Sequence, residues 1–293
     1  MKAAPFAYCR PSSLDEVCAA LSADENARVI AGGQTLVPLM AMRLSRPSLL
    51  VDIARLQELA FARDEPGAIR IGAATRQCVV ERDPLVTSRL PLLAQVMPWI
   101  GHAATRARGT VGGSLANADP AAEISLVAVT LDVTITCRAG EETSDIAAAD
   151  YFIGPMITAL PMGACLTSVK FPVWPDARIG VGFHEVNARR SDFAFASAAA
   201  QIALEQDGAC RRIAIGIGAI SDFPLRLDSA EQALIGTRLT EVAVRAAVRD
   251  ALAAVETASD LHASASYRRR AAETLATRAI MDAHASASAI HAN

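Results

Sequence analysis

The stretch Val29-Ile30-Ala31-Gly32-Gly33-Gln34-Thr35-Leu36 joins a short apolar run to an apolar helical pattern through a pair of glycines. Residues 28–31 predict a strand, residues 36–44 a helix and residues 49–53 a second strand. Glycines at such a turn allow positive φ and let a ligand approach the backbone. Free N–H groups at the turn favour an anionic group such as a pyrophosphate, and the Thr35 hydroxyl adds a donor. The stretch therefore predicts a phosphate-binding turn.

A second glycine-rich segment follows at residues 106–120 and contains Gly109-Thr110-Val111-Gly112-Gly113-Ser114. Two such segments would grip one dinucleotide from both sides. Each alone is weak evidence, because two glycines beside a hydroxyl residue usually form an ordinary turn. Neither segment has the G-x-G-x-x-G or G-x-x-x-x-G-K-[ST] pattern, so a Rossmann or P-loop interpretation is not supported.

The rest of the chain reads as alternating helices and strands, with a proline-rich linker near its middle. Before the linker we expect strands at 69–75, 132–137 and 165–171, helices at 84–100 and 121–131, and a non-periodic stretch at 101–118. The segment Phe171-Pro172-Val173-Trp174-Pro175-Asp176 predicts a domain boundary near residue 176. Beyond it we expect strands at 179–183 and 211–217, a loop at 185–192, a helix at 195–205, and helices from Asp228 and Leu239 onward. This pattern predicts an α+β layer.

Composition excludes several classes of protein. The net charge of -3 and a pI near 6.0 argue against a nucleic-acid binder. Six scattered cysteines form no C-x-x-C pair, so no zinc or iron-sulfur site is expected in this chain. No apolar run reaches the ~18 residues that span a bilayer, and no signal sequence is evident, so we expect a soluble cytoplasmic protein. The run Tyr267-Arg268-Arg269-Arg270 is expected on a solvated helix face or a subunit contact.

The two glycine-rich segments together resemble the flavin motifs of one family, the FAD-binding medium subunits of the carbon monoxide dehydrogenase and xanthine dehydrogenase group. The first match runs from Ala31 to Met40 and continues at Arg43-Leu44, and the second comprises Gly101-His102, Arg108 to Ser114 and Asp119 to Glu123. Residues 71–75, 188–194 and 265–270 are similar to further family segments, so the resemblance extends from about residue 5 to 283.

The resemblance implies an α+β fold of two parts: a two-lobed FAD-binding domain of the vanillyl-alcohol oxidase / PCMH type, then a smaller α+β domain. Residues 1–176 would form the first, divided into two α/β subdomains near residue 55, and residues 177–283 the second, with a flexible tail at 284–293. The implied FAD contacts are Val29, Ile30, Ala31, Gly32, Gly33, Gln34, Thr35, Leu36, Thr75, Gly101, His102, Thr105, Thr110, Val111, Gly112, Gly113, Ser114, Asn117, Asp119, Glu123, Leu166, His184 and Glu185. Main-chain and hydroxyl groups of residues 31–35 and 110–114 would hold the pyrophosphate and ribityl groups, with the loop at 185–192 near the isoalloxazine ring.

Two positions depart from the family pattern. A lysine usually precedes the loop that carries Arg189 and Arg190, whereas this chain has Phe183-His184-Glu185-Val186-Asn187; His184 is one candidate for a substitute donor. Ala107 stands where relatives often have Asn. His102 has two open interpretations, as a cofactor contact or as a structural hydrogen bonder.

By the same resemblance, the chain is an oxidoreductase subunit that is inactive alone on the organic substrate. It would accept electrons from [2Fe-2S] clusters on a small subunit, downstream of a molybdopterin cofactor on a large subunit, in a dimer of heterotrimers. The resemblance assigns it no catalytic acid, base or nucleophile and no metal ligand. The alternatives are a self-sufficient vanillyl-alcohol-oxidase-type enzyme, which needs a larger substrate domain, and a subunit that has lost FAD, which the intact glycines disfavour. The organic substrate and the terminal electron acceptor stay open.

Overall fold

The first of three lobes is a small parallel sheet with a helix on it. The computed structural model describes residues 2–290, and this lobe contains β1 (Ala7–Cys9), α1 (Leu14–Ala23), β2 (Arg28–Ile30), α2 (Leu36–Ala41) and β3 (Leu49–Asp52). The strand order is β1-β3-β2, with both pairs parallel. Ser13 caps α1 by accepting a hydrogen bond from the backbone N–H of Glu16. Val17 and Val51 are fully buried between helix and sheet, so the lobe has its own apolar core.

The second lobe is built on a five-stranded antiparallel sheet of order β4-β5-β10-β6-β7. Its elements are β4 (Ala62–Glu65), β5 (Ala68–Gly72), α3 (Gln77–Val80), α4 (Pro84–Arg89), α5 (Pro91–Val96), α6 (Ala103–Arg106), α7 (Val111–Asn117), α8 (Glu123–Thr130), β6 (Thr134–Ala139), β7 (Glu142–Ala147), α9 (Ala148–Tyr151), β8 (Phe152–Gly154), β9 (Ile157–Thr158) and β10 (Cys165–Pro172). Single 3-10 turns lie at Gln57–Leu59 and Met97–Trp99. Nearly every residue of α8 is buried, because this helix lies between the second and third lobes.

The third lobe is a four-stranded antiparallel sheet of order β11-β12-β13-β14 covered by helices. Its elements are β11 (Ile179–Val186), β12 (Ala196–Leu204), β13 (Cys210–Gly218), β14 (Leu225–Arg226), α10 (Asp228–Leu234), α11 (Glu241–Ala253) and α12 (Ala265–Ala289). Trp99 packs edge-on against Phe183 of β11, with ring centroids 5.5 Å apart. Phe183 and Ala199 belong to the same buried cluster as the helices of the second lobe, so the apolar core is continuous between these two lobes.

Strand β12 corrects the helix predicted at residues 195–205. The run Ala196-Ser197-Ala198-Ala199-Ala200-Gln201 has high helix propensity, but all nine residues of β12 are buried in the middle of the sheet. Helix propensity is a weak preference that tertiary packing overrides, and a short continuous apolar run does not by itself separate a buried strand from a buried helix. The small side chains let helices approach closely on both faces of the sheet.

The helical region predicted at residues 84–100 is divided at its prolines. It forms α4, α5 and a 3-10 turn, with Pro91 at the start of α5 and Pro98 inside the 3-10 turn, in agreement with the expectation that prolines mark helix starts or ends. The stretch 101–118, predicted as non-periodic, contains the short helices α6 and α7. Thr110 caps α7, which is too short for an apolar period to show in the sequence.

The carboxy-terminal helix also differs from expectation. It continues to Ala289 through most of the segment expected to be a flexible tail, because Ala283 and Ala287 are fully buried against the sheet. Residues 291–293 of that segment lie outside the described residues. Arg268, expected on a solvated face or subunit contact, is buried; it donates hydrogen bonds to the carbonyl oxygens of Phe195 and Ala219 and pairs with Asp260 at 2.6 Å.

The mixed layers of strand and helix confirm the predicted α+β class. Within residues 2–290, no helix combines the length and the apolar character needed to cross a membrane.

Candidate cofactor-binding site

A cavity of about 540 Å³ lies where all three lobes meet. The first lobe contributes residues 28–36, the second lobe contributes the segments around the second glycine-rich motif and Leu166 of β10, and the third lobe contributes Ser191, Asp192 and Phe193. Apolar side chains such as Ile53, Ile100 and Leu160 alternate with backbone and hydroxyl groups on its wall. Mostly apolar walls with a few placed polar groups are typical of cofactor sites.

The turn at residues 32–35 supplies backbone donors to this cavity. Gly33 has φ of 68°, a left-handed conformation that favours glycine. Within the described chain, the backbone N–H groups of Gly32, Gly33, Gln34 and Thr35 have no hydrogen-bond acceptor. The Gln34 side chain closes the turn by donating to the carbonyl oxygen of Gly32 at 3.1 Å. Four successive free N–H groups around a left-handed residue make an anion-binding concavity.

The second glycine-rich segment has a different role in the structure. The N–H of Val111 donates to the carbonyl of Thr75, that of Gly112 to the carbonyl of Ala73, and that of Gly113 to the Thr110 hydroxyl at 3.0 Å. These donors are therefore used within the protein, in contrast to the expectation that main-chain groups of 110–114 bind the ligand. The segment offers side chains instead.

The glycines of the two segments pack loop against loop. A Cβ built on Gly32 would lie 2.4 Å from the carbonyl oxygen of Arg108, and one on Gly112 would lie 2.5 Å from the Cβ of Ala73. A Cβ on Gly109 would meet the Gln77 side chain at the same short distance, 2.5 Å. Real Cβ atoms do not approach so closely, so glycine is required at position 32 for the contact between the two segments and at position 112 for the contact of the second segment with Ala73.

Several polar side chains on the cavity wall are uncommitted. Ser114 and Asn117 lie three residues apart on α7 and share a face of the helix. Neither they nor Thr35 make a side-chain hydrogen bond within residues 2–290. The Oε1 atom of Gln77 is buried on the same wall without a donor. An orphaned buried acceptor of this kind indicates a missing partner.

Arg106 holds the loop that carries His102. Its guanidinium makes a two-point ion pair with Glu81, at 2.8 and 3.0 Å, and also donates to the carbonyl oxygens of Ile100 and Gly101. Both side chains are largely buried. These bonds hold the backbone of the loop in place. His102 is exposed on the cavity wall, and its side chain makes no hydrogen bond to any described residue.

Three carboxyl groups gather near the start of α8. Asp119 and Glu123 line the cavity, whereas Glu185 of β11 does not. Burial raises the pKa of Glu123 to about 7, with the negative charge of Asp119 adding to the rise. Burial together with the charge of Glu123 raises the pKa of Glu185 to about 8.

The structure brings 19 of the 23 residues predicted as FAD contacts onto the cavity wall; four do not line it. Thr75 is buried, its hydroxyl bonded to the backbone of Phe61. Val111 lies in the apolar core. His184, a candidate substitute donor, does not line the cavity; its Nε2 instead lies at hydrogen-bonding distance, 2.8 Å, from Oδ2 of Asp282 in α12. Glu185 is half-buried and does not line the cavity.

Sequence reasoning missed a further set of wall residues. Most of them have short or apolar side chains, and they are Arg28, Ser45, Ile53, Ala73, Gln77, Ile100, Gly109, Ala116, Ala122, Leu160, Ala164, Cys165 and Phe193. Gln77 is a polar residue that the structure buries on the cavity wall. Its place in the site can be recognised only when its burial is known. Gly109 and Ala116 lie inside or beside the second motif, where spacing alone would have included them.

A second cavity of about 520 Å³ lies across the Gly32-Gly33 turn from the first. Its wall includes four arginines: Arg10, Arg55, Arg76 and Arg108. Arg10 pairs with Asp52 at 3.0 Å, and Arg76 donates to the carbonyl of Ala107 at 2.8 Å. The turn residues 32–34 line both cavities, so the arginines of the second cavity lie beside the same turn. Among the described residues no group of three or more His, Cys, Asp or Glu side chains is arranged to hold a metal ion.

Two family models match the chain. An FAD binding domain in molybdopterin dehydrogenase matches residues 4–174, and a CO dehydrogenase flavoprotein C-terminal domain matches residues 182–283.

Similar proteins match over nearly the full length. The 6-hydroxypseudooxynicotine dehydrogenase complex subunit alpha of Paenarthrobacter nicotinovorans is 34% identical over 97% of this chain and 96% of its own length. The carbon monoxide dehydrogenase medium chain of Afipia carboxidovorans is 32% identical over 96% of this chain and 98% of its own. A chain of quinoline 2-oxidoreductase from Pseudomonas putida 86 is 34% identical, covers 98% of this chain and 99% of its own, and superposes with a TM-score of 0.93. With both domains matched in order and relatives matched end to end, the chain belongs to the FAD-binding medium subunits of the molybdenum hydroxylases, a family of oxidoreductases.

Proposed function

We propose that this chain binds one FAD in the three-lobe cavity and serves as the electron-transfer subunit of a heterotrimeric molybdenum hydroxylase. The observation that carries the proposal is the row of four unpaired backbone N–H groups at residues 32–35 on the cavity wall. Such a row binds a doubly charged pyrophosphate through charge-assisted hydrogen bonds, which are about twice as strong as neutral ones.

The residues present fit FAD in three respects. The backbone donors of the first turn suit the pyrophosphate. Ser114 and Asn117 suit the hydroxyl groups of a ribityl or ribose unit, and the buried Oε1 of Gln77 lacks a donor that a polar ligand group would provide. Ile100, Leu160 and Leu166 offer apolar surface to planar rings. When bound, FAD supplies a carrier that accepts two electrons and passes them on.

The chain itself supplies binding, orientation and exclusion of water. Arg106 and Glu81 fix the loop beside His102, while Ser191, Asp192 and Phe193 of the third lobe border the cavity from the opposite side. Phe193 is 70% exposed at this border. We assign no general acid, base or nucleophile for attack on an organic substrate.

The names of the relatives, medium chains and a subunit of a complex, support the existence of partner subunits. We propose a small subunit with [2Fe-2S] clusters as electron donor and a large subunit with molybdopterin as the site of substrate oxidation, assembled as a dimer of heterotrimers in the cytoplasm. The six cysteines of this chain are not gathered into a cluster site within the described residues. Substrate choice would then belong to the large subunit.

Titration of the flavin-free full chain with FAD and with riboflavin tests the binding mode. Riboflavin lacks the pyrophosphate, so it loses the hydrogen bonds of the first turn. At about 1.5–3 kcal/mol for each bond to a charged group, the affinity for riboflavin should be at least ~100-fold weaker. Equal affinities would reject the role of the turn.

Assembly with partner subunits tests the electron-transfer role. Co-expressed with an iron-sulfur and a molybdopterin subunit, the chain should co-purify, and its flavin absorption should bleach when an oxidisable substrate is added. A complex in which substrate is oxidised while the flavin stays oxidised under anaerobic conditions would refute the proposal.

A further inference from the structure

The second cavity, of about 520 Å³, lies at the carboxyl edge of the small parallel sheet in the first lobe. Arg10 follows β1 directly, Arg55 lies three residues beyond the end of β3, and residues 31–34 follow β2; all of them line the cavity. In parallel sheets the crevice outside the carboxyl ends of the strands is the usual place for a ligand. The position of the second cavity therefore favours a binding site, and its volume is within the range of small-molecule sites.

The wall of the second cavity carries an excess of positive charge. Arg10 and Arg55 belong to the first lobe, and Arg76 and Arg108 belong to the second. Among the described residues on this wall, Asp52 is the one acid. Its carboxylate is already committed to Arg10, at 3.0 Å, and to a backbone N–H, at 2.9 Å. The other three guanidinium groups have no carboxylate partner within residues 2–290, so three positive charges on the wall are not neutralised by the protein.

The three arginines without a carboxylate partner have donors to spare. Arg55 and Arg108 are exposed, and their side chains make no hydrogen bond within the described part of the chain. Arg76 donates once, to the carbonyl oxygen of Ala107 at 2.8 Å, which holds its guanidinium beside the backbone that leads to Arg108. A guanidinium has five N–H donors in a planar fork that matches the oxygen atoms of a phosphate group. Cations around one crevice repel one another, and a bound anion relieves that repulsion.

We propose that the second cavity is an anion-binding site, separate from the flavin cavity, that takes the phosphate groups of a small phosphorylated ligand. The inference goes beyond the proposed function, because Arg55, Arg76 and Arg108 do not line the flavin cavity. A phosphate or pyrophosphate group carries more than one negative charge and accepts paired hydrogen bonds from guanidinium groups. Apolar side chains of Val37 and Pro38 on the same wall offer a surface to the organic part of such a ligand.

Equilibrium dialysis of the FAD-saturated full chain against ADP tests the proposal, because FAD then fills the flavin cavity. We expect ADP to bind while FAD is retained, and adenosine, which has no phosphate, to bind at least ~10-fold more weakly. Arg55→Gln and Arg108→Gln should each weaken ADP binding at least ~10-fold, since each removes a charged donor. The matched control is Arg278→Gln, because Arg278 is exposed on α12 and lines neither cavity.

Inorganic pyrophosphate distinguishes the two sources of phosphate. Tighter binding of ADP than of pyrophosphate assigns the site to an organic phosphate that also contacts the apolar wall, and equal binding assigns it to the inorganic ion. ADP that displaces FAD, or that binds equally well to the wild type and to Arg55→Gln, would overturn the proposal. So would a loss of the same size in Arg278→Gln, because the attraction would then depend on the net charge of the chain.

A contact with a partner subunit is the competing explanation for the four arginines. Failure of both ADP and pyrophosphate to bind at millimolar concentration would overturn the proposal. If the double variant Arg55→Gln, Arg108→Gln then also failed to assemble with the partner subunits, the surface would be a subunit contact. A chain that binds ADP through Arg55 and Arg108 but takes up no FAD would instead overturn the proposed function and leave the second site in place.

Discussion

The Cα of Gly32 lies directly against the carbonyl group of Arg108, so that a Cβ at position 32 would come within 2.4 Å of the carbonyl oxygen. This contact joins the two glycine-rich segments, which lie far apart in the sequence and belong to different lobes. The unpaired backbone N–H groups belong to the first segment, and the second segment packs against that segment. The cavity wall is therefore one interlocked unit, and its shape depends on glycines that need not touch the ligand.

Gly32→Ala should separate the two segments. The added methyl group forces the backbone of residue 108 to move, which we expect to cost about 1–3 kcal/mol of unfolding free energy and to weaken FAD binding at least ~10-fold. Urea unfolding and FAD titration measure the two effects. Gly154→Ala is the matched control, because a Cβ there meets side-chain atoms of Ile157 only at 3.5 Å or beyond. Equal FAD affinity in both variants would contradict the interlock.

Arg106→Leu should loosen the loop beside His102. The change removes four hydrogen bonds and leaves Glu81 partly buried without its cation, so we expect a loss of about 3 kcal/mol and weaker FAD binding. Arg89→Leu breaks an exposed pair with Asp64 and should cost less than about 1 kcal/mol. Comparable losses from both variants would show that Arg106 is an ordinary surface arginine.

Gly182→Ala should destabilise the third lobe more than the cavity. A Cβ on Gly182 would lie 2.0 Å from the carbonyl oxygen of Ala279, so α12 would have to move away from β11. We expect a loss of about 3 kcal/mol or more in thermal or urea unfolding. Gly140→Ala has open space around the new methyl group, although its positive φ adds some strain, of order 1 kcal/mol. A smaller loss at position 182 than at 140 would argue against the close packing of α12.

The stability of the flavin-free chain should fall as pH rises from about 5 to 9. Glu185 has a folded-state pKa of about 8, above the ~4.3 of an unfolded glutamate, so the folded chain binds more protons in this interval. Its stabilising contribution is therefore complete below pH ~4 and is lost as the pH passes through about 8. Glu185→Gln should flatten the dependence of the urea midpoint on pH, whereas Glu142→Gln should leave it unchanged. A wild-type midpoint that rises over this range would contradict the assignment.

Much of the cavity was predictable from sequence because its motifs are local. The glycine pair between a strand and a helix, and the capping Thr110 before a second pair, mark the two loops directly, and 19 of the 23 proposed contacts line the cavity. The sequence did not show which segment leaves its backbone N–H groups unpaired and which segment uses them within the protein. Whether the N–H of Gly112 faces a ligand or the carbonyl of Ala73 depends on how residues 73–77 pair with 109–112, which is a tertiary contact.

The larger errors in the predicted secondary structure also arise from tertiary contacts that the sequence does not show. The alanine-rich residues of β12 form a strand because the sheet surrounds them, and the tail is helical to Ala289 because Ala283 and Ala287 fit against the glycines of β11. Small residues carry almost no periodic signal, so their burial is invisible until the partner element is known. Arg268 was misplaced for a related reason: its carbonyl acceptors lie on loops remote in sequence.

Measuring the flavin content of the purified full chain most directly tests the central claim, that residues 32–35 and the braced second segment form an FAD site. We predict an absorption spectrum with flavin bands and release of one FAD per chain on denaturation, with full recovery after removal and readdition of FAD. A folded chain that carries no flavin and fails to bind added FAD would contradict the account.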